Sequence, residues 1–258
     1  MNQSVTDEFR AYVEVVRRLR KECPWDREQT HASLKYHLLE EAYEALEAID
    51  HGDMPHLREE LGDLLLHVTL HAVIAEESDA FDLADVLRWN RNKLVRRHPH
   101  VFGEATFAGT DEVKRNWERT KMSEGRRSVT DGLPAALPAL LRAHRLQEKV
   151  SKVGFDWNRK EDVWSKVEEE LRELHEAENE GNSSQIEEEF GDVLFSLVNY
   201  ARYLSVQPEE ALRRSVEKFS DRFRVVEDTL REQGRSPEQA SLEEMDRIWE
   251  STKRASGA

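Results

Sequence analysis

Eight carboxylates in this chain stand in two sets of four with the same internal spacing. Glu41, Glu44, Glu60 and Asp63 form the first set; Glu170, Glu173, Glu189 and Asp192 form the second, each 129 residues after its counterpart. Acids three positions apart share one face of an α-helix, so each set reads as two acidic faces on two helices. In the second copy a Gly-Asn-Ser-Ser turn at 181–184 separates them. If the helices fold back antiparallel on that turn, the four carboxylates converge. An acid pair on one helix is ordinarily a solvated face. Four converging carboxylates repel one another and raise their own pKa values unless a cation lies between them. That many hard oxygen donors suits Mg²⁺ or Mn²⁺ and not zinc.

A divalent ion held by carboxylates, with substrate completing its shell, is a usual arrangement for phosphoryl chemistry. Positive side chains must then hold the rest of a polyphosphate. Lys93, Arg96 and Arg97 follow the first acid set, and Lys218 and Arg222 follow the second; each could equally be surface charge. Neither GxxxxGK[ST] nor GxGxxG occurs, so no glycine-rich phosphate cradle is available. Glu40, Glu59, Glu169 and Glu188 immediately precede metal candidates. Each is either a base for an attacking water or an exposed helix neighbour. A W-E-x-x-K element occurs twice, as Trp117 with Lys121 and as Trp249 with Lys253. The indoles either stack on a base or fill a core. His67 and His71 follow Asp63 on one helix face, but the second copy has Ser196 and Tyr200 there; a packed or hydrogen-bonded histidine pair is the simpler reading.

The elements that must position these groups are all helices. Ser4 and Asp7 form a plausible capping box for a first helix carrying Phe9, Tyr12, Val13, Val16 and Leu19. Cys23-Pro24-Trp25-Asp26 breaks it. Helices follow at about His31–Asp50, from Pro55 to about Glu77, and at about Leu83–Arg97, with Gly52 as a C-terminal stop and 98–110 irregular. After a short helix bearing Trp117, the plan repeats, with Phe155-Asp156-Trp157 where Pro24-Trp25-Asp26 stood. Helices are expected at 136–152, 162–180, 184–205 and 208–233, and a last one carries Trp249. The stretch 122–134 is polar and punctuated by Gly125, Gly132 and Pro134. The chain therefore divides into a repeat at 1–124, a linker at 125–134 and a repeat at 135–258. No segment alternates apolar and polar residues, so the fold class is an all-α tandem duplication.

Composition agrees. Of 258 residues, 35% are charged and 38% hydrophobic, with 11 Gly and 7 Pro, a balance of well-solvated helices. A net charge of −15 argues against a nucleic-acid partner. Cys23 is the single cysteine, which excludes an intrachain disulfide and suits a reducing compartment. No stretch approaches the roughly 18 apolar residues that span a bilayer. A soluble, cytoplasmic protein with no membrane partner is expected.

The stretches CPWDREQTHASL, LLEEAYEALEAI, LREELGDLLLHV and RRHPHVFGE, with KVGFDW, VEEELREL, EEEFGDVLFSLVNYAR and the closing W-E-x-x-K, closely resemble the tandem MazG family of nucleoside triphosphate pyrophosphohydrolases. The resemblance covers nearly the whole chain apart from the linker. It implies Mg²⁺-dependent hydrolysis of a nucleoside triphosphate to the monophosphate and pyrophosphate, broad substrate range, removal of non-standard nucleotides, and a helical-bundle homodimer. It also implies metal binding by Glu170, Glu173, Glu189 and Asp192, and a nucleotide lined by Lys166, Val167, Glu168 and Glu169, by Gln185, Ile186, Glu187 and Glu188, by Lys218 to Arg222 and by Trp249. In the family the second copy is typically the competent one, yet here the first keeps its four carboxylates with Lys93 and Arg97. One departure is Val216, where family members often carry Asn, which removes a polar contact. The alternative from another class is a metal- and nucleotide-binding regulatory module without turnover. A di-iron bundle is disfavoured because Glu-x-x-His pairs are absent.

Overall fold

The computed structural model describes residues 3–110, 112, 113, 116, 117, 120 and 128–255, with side chains for all of these but 3, 254 and 255. Lys121 and part of the expected linker lie outside the described residues. The chain forms two compact units that divide at Gly109/Thr110. Among the described residues there is no strand, so the all-α reading holds.

In the first unit α1 spans Gln3–Glu22. It begins ahead of Ser4, which corrects the expected Ser4/Asp7 capping box: Ser4 is already inside the helix. Pro24 cannot continue α1 and instead occupies the first turn of α2 (Pro24–Glu28). Arg20 fixes this corner. Its Nη1 donates to the carbonyls of Asp26 at 2.6 Å and Gln29 at 2.9 Å, while Nε and Nη2 reach the two oxygens of Glu77 at 2.7 and 2.8 Å.

Helix α3 (Lys35–His51) starts later than expected and ends at Gly52, whose φ of +67° is a left-handed stop that favours glycine. Asp53 caps α4 (Met54–Glu76) by accepting from the His56 amide at 3.1 Å. Helix α5 covers Leu83–Arg97 behind an Asp82/Asp85 capping box. The expected irregular stretch opens instead with one helical turn, α6 (Pro99–Phe102), because proline suits a first turn.

The second unit reuses the plan. Helix α7 (Ala139–Ser151) precedes the paired helices α8 (Lys160–Glu180) and α9 (Ser183–Tyr203). Gly181, at φ +70°, and the cap Asn182 stand where Gly52 and Asp53 stood. Helix α10 (Pro208–Glu232), a 3₁₀ turn (Pro237–Gln239) and α11 (Leu242–Ala255) complete it. The principal packing is α3 on α4 in one unit and α8 on α9 in the other. Helix α1 braces α4, α7 braces α9 and α10, and α11 lies on α10.

The cores are small. Val16, Leu34, Leu70 and Val73 form the buried cluster of the first unit, with Tyr12, Leu66 and Ile74 against it. Much of the periodic apolar pattern remains outside. Tyr36, Leu39, Tyr43 and Leu46 on α3, and Leu61, Leu65 and Val68 on α4, are exposed. So are Phe190, Leu194 and Leu197 on α9, and Leu212, Val216 and Phe219 on α10. No helix among the described residues is long and apolar enough to cross a membrane.

Candidate metal centre

Each helical hairpin brings three of its four predicted carboxylates together. Glu41, Glu60 and Asp63 each offer an oxygen within 4.8 Å of the others, and so do Glu170, Glu173 and Glu189. The i, i+3 spacing places two acids on one helix, and the tight Gly-Asp or Gly-Asn turn sets the facing helix against them. Glu44 and Asp192 stay outside these triplets, but both remain electrostatic neighbours. Glu44 is held above its ordinary range by burial and by Glu60 and Glu40. Asp192 contributes to the raised carboxyl of Glu189.

The clusters are anchored by buried acids. Glu60 is 6% exposed; His56 Nε2 sits 2.9 Å from its Oε1, and its Oε2 is buried with no hydrogen-bond partner. An orphaned carboxylate oxygen in a nest of other carboxylates is a cost unless a cation accepts it. Glu41 shows the same strain: burial first, then the charges of Asp63, Glu44 and Glu60, push its carboxyl up to about 6. In the second unit Glu170 is 7% exposed, and Lys166 Nζ lies 2.8 Å from it and 2.9 Å from Glu169. Those two acids keep the Lys166 ammonium firmly protonated. Glu189 is raised by burial and then by Glu173, Glu170, Asp192 and Glu188. These all-oxygen donor sets, with a buried unpartnered oxygen in one, fit a divalent cation.

The water-activating candidates lie beside the triplets. Glu40, Glu59 and Glu188 are exposed, with Glu40 Oε2 3.5 Å from His37 Nδ1, and Glu169 is half-buried under Lys166. Val167 is fully buried, and Glu168 accepts from Trp164 Nε1 at 2.8 Å. Gln185 and Ile186 are half-buried at the start of α9 and Glu187 is exposed.

The basic candidates sit on other helices of their units. Lys218 and Arg222 are on α10, and no hydrogen bond or ion pair among the described residues joins them to the carboxylates. Lys93 Nζ stands 4.5 Å over the Trp89 ring, and Arg97 closes α5. Trp249 packs on Phe219, ring centroids 4.9 Å apart, so within the chain it joins an aromatic cluster. Lys253 pairs with Glu250. Trp117 is exposed. Val216, also exposed, offers no polar contact. His71 is hydrogen-bonded, but to His31 (Nδ1 to Nδ1, 2.7 Å) and not to His67. Burial first, then neighbouring histidines, holds both His67 and His71 below the ordinary imidazole range.

Sequence reasoning missed a cavity. A space of about 330 Å³ adjoins the second cluster, sharing Glu170 with it and lined also by Lys166, Asp192, Gln147, Phe155, Trp157 and Asn199. Its lining comes from α7, α8, α9, the loop between α7 and α8, and Thr130 ahead of α7, so no single spacing announces it. A double ion pair positions that loop: Arg202 reaches Asp156 at 2.6 and 3.4 Å, and the Tyr203 hydroxyl lies 2.9 Å from Asp156 and 2.5 Å from the Trp157 carbonyl.

The duplicated acid hairpins have known counterparts. The model of the MazG nucleotide pyrophosphohydrolase domain matches twice, over residues 29–102 and 159–226. Over 250 residues, 95% of both chains, the sequence is 44% identical to the nucleoside triphosphate pyrophosphohydrolase/pyrophosphatase MazG of Thermotoga maritima. It is 42% identical over 238 residues, 90% of both chains, to the nucleoside triphosphate pyrophosphohydrolase of Escherichia coli. It is also 45% identical over 252 residues to the uncharacterized protein YabN of Bacillus subtilis, covering 95% of this chain and 52% of that one. Both matched segments contain one complete acid set and the helical turn between its pairs. The chain belongs to the MazG nucleotide pyrophosphohydrolase family.

Proposed function

We propose that this protein hydrolyses nucleoside triphosphates to monophosphate and pyrophosphate with Mg²⁺, clearing unwanted nucleotides from the pool. Its repeats would be 1–124 and 135–258 about a linker at 125–134. The observation that carries this reading is a cavity of ligand size beside the second carboxylate cluster, with Glu170 in both and Asp192 in the cavity lining. Glu170, Glu173 and Glu189, with Asp192 beside them, would hold the metal in the second copy; Glu41, Glu60 and Asp63, with Glu44, would hold it in the first. Mg²⁺, when bound, supplies neutralisation of the polyphosphate charge.

The chain's own groups then have separate tasks. Lys166, protonated and anchored between Glu169 and Glu170, presents a donor to a phosphate oxygen. Glu188 or Glu169 would accept the proton of an attacking water; Glu169 pairs with Lys166, whereas among the described residues no lysine pairs with Glu188. Product analysis with mixed ribo- and deoxyribonucleoside triphosphates tests the reading, using the unaltered protein, Asp63→Asn and Asp192→Asn in parallel. Monophosphate and pyrophosphate, lost in Asp192→Asn, are expected. Diphosphate with phosphate would mean that the wrong bond has been assigned, and nucleotide binding without products would favour a regulatory module.

The protein is further proposed to act as a homodimer. Exposed stripes such as Phe190, Leu194 and Leu197 on α9, and Leu212, Val216 and Phe219 on α10, form the kind of face that monomers rarely leave open. A second copy seated there would also bring further charged groups, Lys218 and Arg222 of α10 among them, to the dimer face. Light scattering should give twice the chain mass, and Leu194→Glu should halve it; a monomeric unaltered protein would refute the assembly.

A further inference from the structure

Lys149, on α7, is 3% exposed, an unusual place for a lysine. A buried ammonium is costly unless its protons are answered. Its Nζ donates to the carbonyl of Val129 at 3.0 Å and to that of Asp131 at 2.6 Å. These carbonyls flank Thr130, so the lysine grips the backbone on either side of that residue. The gripped segment is itself a tight turn. The Ser128 amide donates to Asp131 Oδ2 at 2.8 Å, the Asp131 amide to the Ser128 carbonyl at 3.1 Å, and the Thr130 amide to Ser128 Oγ at 3.1 Å. Thr130 is exposed and forms part of the wall of the cavity that Lys166, Glu170 and Asp192 also line.

Resting on the pyrophosphohydrolase reading, we propose that Lys149 is a positioning residue: it straps 128–131 onto α7 and so completes the second repeat's site with a segment from the connection between the repeats. The strap and α7 both precede 159–226, the stretch matched by the family domain. The strap nonetheless lies in the second compact unit, and Thr130 shares the cavity lining with Glu170 of the carboxylate cluster. The bonds inside the turn span two or three residues, so they shape it without attaching it to the unit. The two from Lys149 arrive from 20 and 18 residues away and do attach it.

The energetics of a strap differ from those of a core contact. Removing the ammonium leaves two carbonyls without their donor and favours the open form. A site that is competent only when the strap is closed loses apparent affinity in proportion to the fraction open, while the complex, once formed, turns over as before. A nucleotide that binds the closed form better pulls the strap shut again.

The test uses the full chain, Lys149→Met, which keeps an apolar stem without the donors, and Lys149→Arg, which keeps donors. Amide hydrogen exchange at 128–131 is followed with and without Mg²⁺ and α,β-methylene-ATP, whose α–β bridge resists hydrolysis, and kcat and KM are measured with ATP. In the unaltered protein the analogue should slow exchange of the Ser128, Thr130 and Asp131 amides. Lys149→Met should exchange these amides faster when free and recover protection at saturating analogue. Its KM should rise about 10-fold with kcat within about twofold of the unaltered value, and Lys149→Arg should lie between the two. An unaltered protein that hydrolyses ATP but shows no change of exchange at 128–131 with the analogue overturns the strap and leaves the pyrophosphohydrolase reading intact, whether or not the variants fold. A fall in kcat at unchanged KM in Lys149→Met makes the lysine a structural residue and overturns the proposal too. Failure of the unaltered protein to hydrolyse any triphosphate overturns the pyrophosphohydrolase reading and this proposal with it.

Discussion

Glu189→Gln should lose at least about a hundredfold in the rate of pyrophosphate release while melting at a higher temperature than the unaltered protein in the absence of metal. The two effects have one cause. Glu189 is raised by burial and by four acids, Glu173, Glu170, Asp192 and Glu188, and two of these share its oxygen cluster. A neutral amide of the same shape removes a charge from that cluster, so the apo protein gains stability. The same change removes a metal-directed oxygen, and replacing even an outer-shell partner of a metal costs 10–100-fold in comparable sites. A residue that merely packs would lose stability and activity together. Melting with a chelator, followed by a product assay with Mg²⁺, separates the cases. A Glu189→Gln protein that is less stable without metal, or fully active with it, would remove Glu189 from the metal set.

The acid pairs were legible because their signal is local. Three residues make nearly one helical turn, so Glu170 with Glu173 needs no tertiary knowledge to be read as one face. The duplication added the second helix, since the same spacing recurred across Gly52-Asp53 and Gly181-Asn182. Membership of the inner triplets was not legible. Glu44 and Asp192 keep the right face but stand apart from the closest oxygens, which depends on how the paired helices are rotated about their axes. The cavity was less visible still: three helices, the loop ahead of α8 and Thr130 line it, and no single spacing joins them. The apolar periodicity of α4 and α9 was read correctly as helical, but period does not say what covers a face. Leu61, Leu65, Leu194 and Leu197 are exposed within their own chain. Lys218 and Arg222 were read as part of the site by their register in the repeat; register alone cannot say whether a side chain serves its own hairpin or a partner's.

Mg²⁺ should stabilise this protein strongly above neutral pH and hardly at all in mild acid. Glu41 carries the sign. Its carboxyl is pushed up to about 6, burial being the first cause and the charge of Asp63 the next. A carboxyl raised on folding is more comfortable neutral than ionised. In metal-free protein its contribution is therefore most favourable below the unfolded carboxylate range and is lost as pH rises through about 6. Glu44 and Glu189 are raised in the same direction and add to that loss. A cation inverts the balance because it binds the ionised clusters. At about 100 times its dissociation constant it adds about 2.7 kcal/mol to the folded state, which in a unit of this size moves a melting point by on the order of 10 °C. Melts with and without Mg²⁺ should therefore coincide near pH 5 and diverge between about pH 6 and pH 8. Asp63→Asn and Asp192→Asn apportion the shift between the two repeats, since each variant should forfeit the part contributed by its own cluster. A Mg²⁺ shift independent of pH would place the ion away from these carboxylates, on groups that do not titrate in this window. Equal shifts in both variants and the unaltered protein would lead to the same conclusion. Divergence that disappears in one variant alone would show that a single repeat holds metal, and that the acids of the other repel one another without relief.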